Sequence, residues 1–120
     1  VITRSKPIAA WVGVDLDGTL ARYDNYISHD TIGEPIALMA DRVRDWIDHG
    51  VNVKIFTARV AEPDPRRKLE IITAIDNWCM DVFGKTLPIT CIKDYGCIQI
   101  WDDRAIQIIP NTGRRADGKD

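Results

Sequence analysis

This chain has no basis for a disulfide framework. Its three cysteines, Cys79, Cys91 and Cys97, are odd in number and include no Cys-x-x-Cys pair. A stapled scaffold and a zinc knuckle are thereby excluded, and the thiols read as small apolar residues of a reducing compartment. Histidine is scarce: His29 and His49 stand at no metal-ligand spacing and read as exposed. No apolar run is long enough to span a bilayer, and no signal peptide precedes the first strand-like segment. The expected setting is therefore cytoplasmic, with no membrane partner. Neither sign of charge dominates, since 16 Lys and Arg against 18 Asp and Glu leave a net charge of −2. Such a balance gives no global attraction for nucleic acid or an anionic membrane. Internal repeats and low-complexity tracts are also missing, so solenoid and array architectures drop out.

What is present suits one domain. The 120 residues, 45% hydrophobic and 28% charged, make a single catalytic-sized unit spanning 1–120, with a polar tail at 111–120 expected to be flexible. Ile8 to Val14 reads as a buried strand and is followed by the turn-rich Asp15-Leu16-Asp17-Gly18-Thr19. Residues 21–33 read as a flap. Glu34 to His49 reads as a helix, with Ile36, Met39, Val43, Trp46 and Ile47 on one face, Pro35 in its first turn and Gly50 at its C-terminal cap. Val51 to Phe56 is a second strand, and Thr57-Ala58-Arg59 lies just past it. Pro63 and Pro65 mark a loop. Arg66 to Phe83 is a second helix, burying Leu69, Ile72, Ile75, Cys79 and Val82 or Phe83. Ile89 to Ile92, Ile98 to Trp101 and Ile106 to Ile109 are short strands. The four tryptophans, Trp11, Trp46, Trp78 and Trp101, fall on core faces rather than on a stacking surface.

Alternation of strand and helix predicts an α/β fold with a mainly parallel sheet. Ligands bind such sheets beyond the carboxyl ends of the strands. Asp15 and Asp17 follow the first strand, Thr57 and Arg59 the second, and Asp102 and Asp103 the fourth, so parallel strands deliver all of them to one rim. Four acids on one rim repel each other, and a hard divalent cation such as magnesium offsets that cost. Thr57 and a nearby cation from Lys93, Arg59 or Arg104 would supply donors to phosphate oxygens, which is what phosphoryl transfer requires. Asp15 can act as a covalent nucleophile and Asp17 as acid and base, while Gly18 lets the loop turn sharply.

The run Asp15-Leu16-Asp17-Gly18-Thr19-Leu20 resembles the first motif of the haloacid dehalogenase superfamily, in its phosphatase branch. Phe56-Thr57-Ala58-Arg59 is similar to the second motif, Lys93 stands where the third is sought, and Asp102-Asp103 resembles the fourth. The resemblance covers residues 8–110. It implies a three-layer, Rossmann-like sheet flanked by helices, with no room here for a cap domain. It implies Asp15 as nucleophile, Asp17 as general acid and base, Thr57 and Lys93 on the phosphoryl group, and Gly18, Thr19, Ala58 and Arg59 around the substrate. Asp15, the Asp17 carbonyl, Asp102 and Asp103 would hold Mg2+. The expected reaction is hydrolysis of a phosphate monoester, on a phosphorylated small molecule or nucleotide.

Two alternatives stay open. Asp102-Asp103-Arg104 is similar to the fourth motif of the phosphatase domain of phage polynucleotide kinase, which would make nucleic-acid ends the substrate, although the near-neutral charge counts against backbone binding. A different class is a non-catalytic module that holds magnesium and a phosphate-bearing partner. Tyr23, Asn25, Tyr26, His29 and Asp30 in the flap either contact substrate or form a solvated loop. Capless members of the family tend to act on bulky substrates or to be covered by a partner subunit, so the resemblance leaves homo-oligomerisation open. The interval from Lys93 to the fourth strand is too short for an ordinary parallel crossover, which needs a dozen or more residues.

Overall fold

The computed structural model describes residues 9–120. The expected loose segment 1–7 and Ile8 lie outside the described residues. Within them the chain forms an α/β unit with a sheet of four parallel strands and two α-helices. Strands β1 (Trp11–Asp15), β2 (Val53–Phe56), β3 (Ile89–Thr90) and β4 (Cys97–Trp101) stand in the order β3-β2-β1-β4. Every neighbouring pair is parallel, so the strands' carboxyl ends share one rim.

Register explains which face is buried. Val12 and Val14 of β1 lie beside Val53 and Ile55 of β2, and period-2 alternation sends all four side chains to one face. Helices α1 (Ala37–Asp48) and α2 (Pro65–Phe83) cover that face. Val14, Val53 and Ile55 join Met39, Ala40 and Val43 of α1 and Ile71, Ile75 and Cys79 of α2 in one core. Both helices belong there because both link strands added in the same direction, and right-handed crossovers then place them on the same side.

The opposite face carries Trp11, Gly13, Lys54 and Phe56. Trp11 is almost fully buried, under the Lys54 ammonium at 4.7 Å from its ring and beside Phe56 at 6.3 Å. No helix covers this face among the described residues, so the second helical layer of a three-layer fold is not seen there. The reason is the connection from β3 to β4, a short helix-free crossing that ends in a turn at Asp94–Cys97. Phe56 pairs with Thr90, and Trp11 pairs with Cys97. Residues 91–96 therefore descend the sheet while passing two strands, a diagonal of about 20 Å. Thr90 to Asp94 reaches about 14 Å at ~3.4 Å per residue. The turn from Asp94 to Cys97, closed by Cys97 N–H on the Asp94 carbonyl, adds at most about 7 Å, which just meets the diagonal. The short interval is resolved by omitting the helix, and β3 is a parallel strand after all.

Three local expectations are corrected. Helix α1 begins at Ala37 rather than Glu34, because Ile36 N–H donates to the Leu20 carbonyl and Arg22 N–H to the Glu34 carbonyl. That pairing takes Pro35 into a bridge with Ala21 instead of a helical turn. Leu69 is 64% exposed, and the buried stripe of α2 is Ile71 with the expected Ile75 and Cys79, centred about 120° away on the helix wheel. Ile106 to Ile109 forms no strand of the sheet. Gln107 and Ile109 instead bond back to Ala116 and Arg114 around a turn with Asn111 and Gly113 at positive φ. The tail expected to be flexible is thus hydrogen-bonded into a local hairpin-like turn.

Candidate active site

The loop after β1 begins at Asp15 and is shaped by Gly18. Leu16 and Leu20 are fully buried and pin the loop to the core on either side of the polar residues. Ala21 and Leu20 N–H groups donate to the Leu16 carbonyl, and Gly18 N–H donates to Ala21. Gly18 sits at φ 89°, and a Cβ there would stand 2.6 Å from a carboxylate oxygen of Asp103. The loop is therefore bound closely to the end of β4, and only glycine fits at the contact.

Register delivers the acids together. Val14 pairs with Trp101, so Asp15 and Asp102 leave adjacent strands at the same level. Oxygens of Asp15, Asp102 and Asp103 all lie within 4.8 Å of one another. The Thr19 hydroxyl lies 3.3 Å from both Asp15 Oδ2 and Asp103 Oδ1. Asp102 accepts from the Arg104 N–H at 2.7 Å. Burial, then a hydrogen bond shared with Asp103 and the negative charges of Asp102 and Asp103, push the Asp15 carboxyl up from 3.8 to about 7, with Thr19 opposing. Three crowded carboxylates with only oxygen donors fit a hard divalent cation, which would relieve the repulsion that raises Asp15.

Asp17 goes elsewhere. Its two carboxylate oxygens accept from Nε and Nη2 of Arg59, each at 2.8 Å. The same guanidinium donates from Nη1 to the His29 carbonyl at 3.0 Å and from Nη2 to the Thr31 carbonyl at 2.8 Å. Asp15 and Asp17, two residues apart, thus face different surroundings: one the acid cluster, the other an arginine. Thr57 is buried and its Oγ1 accepts from Arg59 N–H at 3.2 Å, capping a short 3-10 helix, Ala58–Ala61. Ala58 is exposed at the start of that turn.

A cleft of about 530 Å³ opens beside Asp17 and Arg59, with Tyr23, Tyr26, Arg67 and Arg104 among its walls. Lys93 is exposed and lines a groove along β4 whose walls also include Asp102 of the acid cluster. Arg104 lines the cleft beside Asp17, together with Arg59 and Arg67.

Sequence reading missed one cluster. His29 Nε2 meets Glu70 Oε2 at 2.6 Å, and Asp30 lies within 4.8 Å of both. Residues 29 and 70 are brought together only by packing of the flap on α2, so no spacing betrays them. Gly33 belongs to the same seam: its carbonyl accepts from Trp78 Nε1 at 2.8 Å, and a Cβ on it would collide with the Arg22 carbonyl. No family model matches this chain, and neither a characterised protein nor a solved structure is found to match it.

Proposed function

We propose that this protein is a magnesium-dependent phosphomonoesterase of the haloacid dehalogenase type, with Asp15 as its nucleophile. The observation that carries the reading is the cluster of Asp15, Asp102 and Asp103 at the carboxyl ends of adjacent parallel strands, with the next loop carboxylate, Asp17, beside a cleft. Asp15, Asp102, Asp103 and the Asp17 main-chain carbonyl would hold Mg2+. When bound, the cation neutralises the cluster and the phosphoryl oxygens.

The chain's own residues then divide the work. A carboxylate oxygen of Asp15 attacks phosphorus, the ester bond breaks, and the leaving oxygen takes a proton from Asp17. Asp17 next takes a proton from water, whose oxygen attacks the phosphorus of the aspartyl phosphate. Phosphate leaves and the Asp15 carboxylate is restored. Thr57 donates to a phosphoryl oxygen. Arg104 supplies positive charge from the cleft wall.

Tyr23 and Tyr26 favour a narrower version. Two exposed tyrosines beside Arg67 and Arg104 suit a leaving group with a flat ring and further negative charge, as in a nucleotide or a nucleic-acid end. Phosphate release is the test, measured on a panel of aryl phosphates, nucleotides and 3′- and 5′-phosphorylated oligonucleotides, with magnesium, with EDTA and in Asp15→Asn. Turnover requiring both magnesium and Asp15 is expected, with loss on the order of 10³-fold or more in the variant. Retention of turnover by Asp15→Asn would remove Asp15 as nucleophile. Magnesium binding with no turnover on any substrate would make the chain a binding module instead.

A further inference from the structure

We propose that Arg59 is a positioning residue that couples the flap, residues 21–33, to the acid-base carboxylate Asp17, an inference that rests on the phosphatase reading. The guanidinium spans the two. One edge grips both oxygens of Asp17 at 2.8 Å, and the remaining donors hold the carbonyls of His29 and Thr31 at 3.0 and 2.8 Å. This bridge is shielded from water, with 15% of the Arg59 side chain and 22% of the Asp17 side chain exposed. Arg59 is itself fixed at the start of its turn, where its N–H donates to Thr57 Oγ1.

Four of the five guanidinium N–H bonds are thereby committed, so Arg59 does not stand free as a phosphate clamp. Its effect is directional. The bidentate grip fixes the plane of the Asp17 carboxylate at the mouth of the cleft and keeps it apart from Asp15, Asp102 and Asp103. Without it, a carboxylate next to Gly18 can turn toward any cation those three acids hold. The flap that borders the cleft is fastened by the same side chain, so flap position and acid position change together. Lysine cannot reproduce this, since its ammonium lacks the planar fork.

General acid assistance matters most when the leaving group is a poor one, which gives a readout that a purely structural role would not move. The full chain with magnesium would be assayed as wild type, Arg59→Lys and Arg59→Ala on dinitrophenyl, nitrophenyl and phenyl phosphates and an alkyl phosphate. Both variants should lose on the order of 10²-fold or more on phenyl and alkyl phosphates and under about 10-fold on the dinitrophenyl ester. Added guanidinium ion should partly rescue Arg59→Ala on the poor leaving groups. Chymotrypsin should also cut Arg59→Ala faster than wild type at Tyr23 or Tyr26, with no substrate present. Equal losses across all esters in a variant with wild-type near-UV circular dichroism, or no loss at all, would overturn the coupling while leaving the phosphatase reading intact. A wild type inert on every ester would overturn both.

Discussion

Asp15 shows how much of the site resides in single residues. Its ordinary carboxyl value of 3.8 rises to about 7 through burial and then through Asp103 and Asp102. The folded chain therefore holds a proton that the unfolded chain has released. That contribution to stability is complete below the unfolded value and is lost as pH rises through about 7. The metal-free protein should thus melt at a lower temperature at about pH 8 than at about pH 5. A shift is worth about 1.4 kcal/mol per unit, and screening of a half-exposed group reduces the loss to about 1–2 kcal/mol. Asp15→Asn should flatten the dependence, and magnesium should raise the melting temperature most at the higher pH. Calorimetric melts in EDTA and in magnesium check both. Gly18 gives the complementary case. Gly18→Ala would force a methyl into Asp103 at a positive φ, costing about 1–3 kcal/mol and weakening magnesium binding in titration calorimetry. The convergence of Asp15, Asp102 and Asp103 was legible because each follows a strand of one parallel sheet. The bidentate hold of Arg59 on Asp17 was not, because no local pattern reports which way a side chain turns.

At the scale of elements, the helices were legible wherever local chemistry alone decides them. Gly50 and Gly84 sit at positive φ just beyond α1 and α2 and end them as their positions suggest. At its start α2 takes in Pro65, read from sequence as part of the loop, and Asp64 caps it by accepting from Arg67 N–H. Asp64→Ala should destabilise by about 0.5–1 kcal/mol, read by urea unfolding, with catalytic parameters unchanged. Elements failed to be legible where partners distant in sequence intervene. Leu69 suits a buried helical position by type, yet the side of α2 that meets the sheet is fixed by Ile71 and Ile75. The start of α1 was displaced by pairing of 34–36 with 20–22, a tertiary contact that no propensity contains. The Ile106 to Ile109 run has strand-like composition, but Pro110 and the turn after it fold the chain back on itself before it can add to β4. The flap was read as a loop, correctly in form, while its seating on Trp78 and Glu70 could be found only in three dimensions.

For the whole molecule, the controlling feature is the crossing from β3 to β4, because it alone brings Asp102 and Asp103 to Asp15. A parallel sheet and a common rim follow from the alternation of strands and helices, and the sequence carries that alternation openly. A helix-free crossing is harder to read, since it depends on a path length matched to short strands. Its anchor is specific. The Asp94 carboxylate accepts from the Trp11 indole N–H at 2.8 Å and from Gly96 N–H at 2.8 Å, while Trp11 N–H donates to the Gly96 carbonyl. The indole, then the Gly96 N–H, hold the Asp94 carboxyl below its usual range. Its stabilising effect is therefore present above the unfolded value and is lost as acid carries the pH through the lowered one. Asp94→Ala would leave the buried Trp11 donor without its acceptor and release the crossing from the sheet. Asp94→Asn keeps a neutral acceptor and should fall between wild type and alanine in thermal melts followed by tryptophan fluorescence. The effect should extend beyond stability. A crossing released at Asp94 loosens the register of β4 against β1, so magnesium affinity should fall in Asp94→Ala although Asp94 touches no acid of the cluster. Magnesium affinity unchanged beside a lowered melting temperature would mean that β4 holds Asp102 and Asp103 in place by strand pairing alone.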